Sequence, residues 1–125
     1  IMKGKISKKK ITFLGVTFKP NTDDMRESPA LKLMPKLNKK GAKIAYYDPS
    51  GPKTIFKKYK NVNFMNKISL ACQNADLVVL HTEWNEFRNL NFKRLVRRNK
   101  FSIYDMRNIY SKKKMKNSGI NYFRI

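Results

Sequence analysis

Two cations seven residues apart, Lys19 and Arg26, bracket a polar loop that leads into Ser28-Pro29. An ammonium is a point charge and a guanidinium a planar fork, and both suit the oxygens of a phosphate. Pro20 fixes its own φ and drives Lys19 toward extended backbone, which projects the ammonium beyond the apolar run 11–16. Asn21, Thr22, Asp23 and Asp24 are turn formers that bond their own backbone. Ser28 suits a helix N-cap and Pro29 a first helical position, so the loop ends where orphan backbone N–H groups attract anions. The same residues admit a second reading, in which Asp23, Asp24 and Glu27 merely neutralise Lys19 and Arg26 on a solvated loop. Spacing alone leaves both open.

The elements that must position this loop follow from periodicity. Residues 11–16 have the length and composition of a buried strand. Residues 29–40 carry apolar side chains at helical spacing, with lysines in the last turn and Gly41 as a stop; Pro35 should kink this helix or shift its start. Residues 43–47 read as a strand closed by the turn residues of 48–52. An acidic residue at the end of a second strand grips a ribose in dinucleotide-binding units. No GxGxxG precedes Asp48, which therefore reads as a turn residue. Residues 53–59 form a weak helix, 62–65 a short strand and 67–74 another helix carrying Cys72, a small buried or half-buried residue rather than a nucleophile.

The run 76–81 is the clearest strand, continuous and apolar as central parallel strands are. It opens into a polar and aromatic loop, 82–88. His81, the single histidine, has no ligand set around it in sequence and reads as structural. A helix at 91–98, a strand at 102–104, the loop 105–108, a basic helical or irregular segment and a last strand at 120–125 complete the chain. Alternating strands and helices predict a doubly wound, mostly parallel α/β sheet, Rossmann-like, with helices on both faces. The first and fourth strands would flank the switch point, so loops 18–26 and 82–88 would border one crevice.

At 125 residues the chain is one domain, with 1–10 a linker or N-terminal extension and 11–125 the folded unit. One cysteine excludes an internal disulfide and a CxxC site. No apolar run approaches a membrane span, no signal-peptide pattern follows the basic start, and a cytoplasmic chain is expected. Ile1 ahead of Met2 suggests a piece of something longer. The net charge of +21 would attract anions, but the lysines are spread along the sequence and accompany an excess of asparagine. That pattern reads as compositional bias, and a nucleic-acid partner is not expected.

The stretch Gly15-Val16-Thr17-Phe18-Lys19-Pro20-Asn21-Thr22-Asp23-Asp24-Met25-Arg26-Glu27-Ser28-Pro29 closely resembles the signature that opens the C-terminal, UDP-binding domain of the nucleotide-sugar dehydrogenase family. Thr82-Glu83-Trp84-Asn85-Glu86-Phe87 and Asp105-x-Arg107-Asn108-Ile109-Tyr110 resemble that domain's other two marks, in order and at the right spacing. The Thr-Glu-Trp loop favours the branch that acts on UDP-glucose. The resemblance implies oxidation of the C6 alcohol of UDP-glucose to a carboxylate with two NAD+. It places Phe18 and Lys19 along the UDP-sugar, Arg107 on its anionic nucleotide part, and Arg26 on the NAD pyrophosphate across a domain interface. It also implies partners absent from these residues, namely an N-terminal NAD-binding domain and a central domain, and a homo-oligomeric whole enzyme.

Two departures stand out: Met106 where the family usually has Gly, so that a side chain there would crowd the substrate or reset the backbone, and Ser111 for a common Asp. The family's Cys-Phe-Pro-Lys-Asp-type catalytic motif and its GxGxxG motif do not occur in this sequence, and Cys72 does not match. By itself the chain is expected to be inactive. The competing readings are a dehydrogenase of another UDP-hexose and a free-standing basic module that binds anions or nucleic acid.

Overall fold

The computed structural model describes residues 5–125; residues 1–4 of the expected N-terminal extension lie outside the described residues. Six strands, β1 (Lys10–Leu14), β2 (Lys43–Tyr47), β3 (Val62–Phe64), β4 (Leu77–Leu80), β5 (Ser102–Asp105) and β6 (Asn121–Arg124), form one sheet in the order β3-β2-β1-β4-β5-β6. Every pairing is parallel. This is the doubly wound arrangement expected from the sequence, and β1 and β4 do flank the point where the winding reverses. The sheet begins one residue early: Lys10 belongs to β1, and Lys8 N–H donates to Gly41 O (2.8 Å), so part of the expected linker is bound to the domain.

Among the described residues four helices cover the faces: α1 (Ala30–Lys39), α2 (Ile68–Cys72), α3 (Phe92–Val96) and α4 (Lys112–Asn117). α1 starts at Ala30 and runs through Pro35, so the proline does not move its start. The weak helix expected at 53–59 is a single 3-10 turn at Thr54–Phe56. Asn91 caps α3, its Oδ1 accepting from Arg94 N–H (3.2 Å), and Arg97 ends it in the left-handed region at φ 60°. Ser111 caps α4 in the same way, accepting from Lys114 N–H (3.1 Å). A hydroxyl serves an N-cap as well as a carboxylate does, so Ser in place of Asp costs the helix little.

Strand residues alternate strictly between two cores. Ile11, Phe13, Ile44, Tyr46, Leu77 and Val79 pack with Ala30 and Met34 of α1 on one face. Leu14, Val78, Leu80 and Ile103 pack with Cys72, Phe92, Val96 and Met115 on the other. All four residues of β4 are buried, the signature of a central strand covered on both sides. Thr12 faces the second core and satisfies its hydroxyl on Ala71 O (2.5 Å).

Candidate functional site

The carboxyl ends of β1, β4 and β5 lie side by side, and their three loops are stitched together by side chains the sequence marks. Arg107, in the loop after β5, reaches both others. Its Nε donates to His81 O (2.8 Å) and its Nη2 to Phe18 O (2.8 Å), while the guanidinium carbon lies 5.9 Å from the centre of the Phe18 ring. Nη1 makes no hydrogen bond to protein among the described residues. One planar cation thus fixes three strand ends and keeps an edge for a ligand.

Arg107 is held from below by Asp105, fully buried at the end of β5. Its Oδ1 accepts from Arg107 N–H (3.0 Å), and its Oδ2 accepts from Tyr110 N–H (3.0 Å) and from the Tyr122 hydroxyl (2.6 Å). The Tyr110 hydroxyl donates to Phe87 O and accepts from Leu90 N–H (3.1 Å), so the motif Asp105–Tyr110 ties the β5 loop to the β4 loop. Burial raises both tyrosine pKa values, with the Asp105 carboxylate adding to the rise, so both phenols stay protonated as donors.

The loop after β1 is anchored rather than solvated along its length. Gly15 has φ +81°, and a Cβ there would lie 2.5 Å from Thr82 Cβ. That close approach lets the Thr82 hydroxyl donate to Thr17 O (2.8 Å), and the Thr17 hydroxyl in turn donates to Lys19 O (2.9 Å). The residue before α1 is Pro29 rather than the expected Ser28; the Ser28 hydroxyl donates to Val16 O (2.5 Å) and accepts from Ala30 N–H (3.2 Å), stapling the loop to its strand. Met25 packs on the first core. Phe18, despite its size, is 42% exposed, and Lys19 is exposed beside it. Lys19 has no salt bridge among the described residues.

Phe18, Lys19 and Arg107, the three residues expected along a nucleotide sugar, are therefore one cluster. Arg26 is elsewhere on the loop. All its hydrogen bonds go to Asp24, with Nη2 2.9 Å and Nε 3.1 Å from the carboxylate, and its side chain is 88% exposed. Those hydrogen bonds hold the Asp24 carboxyl down at about 2. At Arg26, then, the neutralising reading describes the contact that is made, by Asp24 alone.

Three features were not legible in the sequence as read. Asp48, fully buried, is more than a turn residue. Its Oδ1 accepts from Ser50 N–H (2.9 Å), and its Oδ2 accepts from Val16 N–H (2.8 Å), joining the ends of β1 and β2. A ribose-gripping acid must be free to point at a ligand, and Asp48, bonded through both oxygens, is not. Met106 does not reset the backbone: its φ is not positive, its N–H donates to Leu80 O (3.1 Å), and its side chain packs on the first core. Asn108 takes the left-handed conformation instead, at φ 56°. Third, the β4 loop holds the two buried side-chain nitrogens without partners among the described residues, His81 Nε2 and Trp84 Nε1.

His81 is structural, as expected, but electrostatically poised. Its Nδ1 lies 3.0 Å from Thr82 Oγ1, which already donates to Thr17 O, so the neutral ring carries its proton on Nδ1. Burial, reinforced by the Arg107 charge, lowers its pKa to about 4. Between that value and the ordinary 6.5 the unfolded chain binds a proton that the folded chain refuses, so stability falls as pH drops through this window. The expected loss is about 3 kcal/mol, read by urea melts from pH 7 to 4, and its His81 share should vanish in His81→Gln.

A six-stranded, all-parallel, doubly wound sheet with Lys19 and Arg107 in the loops at its switch point defines a Rossmann-like α/β domain. The profile described as the UDP-glucose/GDP-mannose dehydrogenase family, UDP binding domain, matches residues 12–112. UDP-glucose 6-dehydrogenase of Rhizobium meliloti (strain 1021) is 42% identical over 123 residues, covering 98% of this chain and 28% of that protein. UDP-glucose 6-dehydrogenase of Rickettsia felis is 34% identical over 128 residues, covering 100% of this chain and 29% of that protein. Among solved structures, UDP-D-ManNAc dehydrogenase from Pyrococcus horikoshii superposes with a TM-score of 0.75 at 27% identity, over 97% of this chain and 26% of that one. The chain belongs to the UDP-glucose/GDP-mannose dehydrogenase family and corresponds to its UDP binding domain. It spans 28% of the length of the first of these relatives. Among the described residues no helix is long and apolar enough to cross a membrane.

Proposed function

We propose that this domain binds the UDP moiety of UDP-glucose in the crevice between the β1 and β4 loops, as the UDP-binding part of an NAD-dependent UDP-glucose 6-dehydrogenase. The observation that carries the reading is the Arg107 clamp. A guanidinium tied to Phe18 O and His81 O presents its remaining edge, beside the exposed Lys19, where a diphosphate can be held by two cations at once. The exposed Phe18 ring offers an apolar wall to the sugar or base. The names of the relatives support UDP-glucose as the substrate.

NAD+ would supply the hydride acceptor, bound by a segment outside this domain. Asp48 is spent on Val16 N–H, and Arg26 is the residue here that would face the cofactor, exchanging Asp24 for a pyrophosphate oxygen. Cys72 does not substitute for a catalytic thiol. It is fully buried, and burial pushes its pKa up to about 12. The purified chain should therefore reduce no NAD+ with UDP-glucose, and Cys72→Ser should leave UDP binding unchanged; turnover followed at 340 nm would refute this account of the cysteine. In the same reading residues 11–125 act as one domain of a larger, homo-oligomeric, cytoplasmic enzyme. Titration calorimetry with UDP at low and high salt tests the binding itself. Saturable 1:1 heat that Lys19→Ala weakens supports the proposal, and absence of heat at both salts overturns it.

A further inference from the structure

Cations that are scattered in sequence are collected by the fold. In a parallel sheet every crossover helix ends where the next strand starts, so all helix C-termini and strand starts share one pole. Carboxylates occupy the other pole. Of the eight in the chain, Asp23, Asp24 and Glu27 follow β1, Asp48 follows β2, Glu83 and Glu86 follow β4, and Asp105 ends β5. The eighth, Asp76, precedes β4, where it accepts from Lys10 N–H (2.9 Å) and pairs with Arg98. The amino-terminal pole therefore carries no uncompensated acid among the described residues.

Across that pole the strand starts bear cations in spatial order. Lys60 stands before β3, Lys43 opens β2, Lys9 precedes β1 and Lys100 precedes β5, while the Lys10 ammonium is spent on Gln73 O (2.6 Å) and Arg98 on Asp76 at β4. The row of cations follows strand starts joined by hydrogen bonds from backbone N–H groups, Lys43 N–H donating to Lys9 O (2.8 Å) and Lys10 N–H to Asp76, the partner of Arg98. At the β5–β6 end it enters a groove of about 610 Å³ lined by Lys93, Arg97, Arg98 and Lys100. Helix dipoles account for Lys36, Lys39, Lys114 and Lys116 in last turns. They do not account for Lys9, Lys43, Lys60 and Lys100, which precede or open strands.

We propose that the amino-terminal pole of the sheet docks the phosphate backbone of a nucleic acid, held by this row of cations without reading bases. Six strand ends about 4.8 Å apart make a row roughly 24 Å long, which matches a linear polyanion carrying a charge every ~1.7 Å of duplex axis. The exposed aromatic Phe18 lies at the opposite pole, in the loop after β1. Basic residues dispersed along the chain are in part brought together at this pole, where no uncompensated acid opposes them among the described residues.

The test is anisotropy of a labelled 20-base-pair duplex with the full chain, over a salt series. The variant Lys9→Gln/Lys43→Gln/Lys100→Gln is compared with Lys32→Gln/Lys112→Gln/Lys113→Gln, which removes the same charge from the starts of α1 and α4 at the opposite pole. The pole variant should bind at least about tenfold more weakly at low salt, and its log–log salt slope should flatten by roughly 2.7. Its UDP binding should be unchanged, which separates this proposal from the crevice assignment. Equal losses in the two variants would reduce the effect to net charge and overturn the proposal. So would pole-dependent binding of polyglutamate tighter than that of the duplex, which would name an acidic protein instead.

Discussion

Arg107→Ala is expected to weaken UDP binding by about 10- to 150-fold, since a charge-assisted hydrogen bond to a phosphate contributes about 1.5–3 kcal/mol. The loss has two sources in this structure. The guanidinium edge directed at the ligand disappears, and the carbonyls of Phe18 and His81 lose the cation that holds them together. Arg107→Lys separates the two. It restores a positive charge but has no planar fork to bridge two carbonyls and still face a ligand, so it should recover only part of the affinity. Calorimetry gives the affinities, and circular dichroism of both variants should show an intact α/β fold. Full affinity in Arg107→Ala would remove Arg107 from the site.

Gly15→Ala should have the largest effect on stability of any single methyl group added here. The backbone sits at φ +81°, which an L-residue adopts only at a cost, and the new Cβ would lie 2.5 Å from Thr82 Cβ and 3.1 Å from Thr82 N. Neither neighbour is the far end of a flexible side chain, so β1 and β4 must part. The expected cost is roughly 2–4 kcal/mol, seen as a fall in Tm of about 10 °C or more. UDP binding should fall with it, because the Thr82 hydroxyl can no longer reach Thr17 O. Gly51→Ala is the comparison. It also has positive φ, at +96°, but no atom within 4 Å of the new carbon, so it should show only the backbone cost.

The parallel pairing, the place of the first and fourth strands at the switch point and the convergence of their two loops were legible in the sequence because they rest on periodicity and on one rule of winding. β4 reads as buried on both faces from four consecutive apolar residues, and it is. Long-range polar bonds leave no such trace. Asp48 sits in a plausible turn and makes that turn, yet its second oxygen closes the end of β1, thirty-two residues earlier. Arg26 illustrates the opposite case, where a residue typed for phosphate is occupied by Asp24 two positions away. Met106 shows why a substituted glycine need not deform a loop: its φ is not positive, and its side chain packs on the first core. Charge was the least legible property, because whether lysines cluster depends on which ends of which elements meet.

In the proposed function one crevice, bordered by the β1 and β4 loops and clamped by Arg107, takes the UDP part of the substrate. A titration of the isotopically labelled chain with UDP, followed through backbone amide chemical shifts, tests it most directly. Saturating shifts concentrated at residues 17–19, 82–84 and 105–108 are the predicted result. Shifts that do not saturate, or that concentrate on the lysines at the amino-terminal pole, would contradict it.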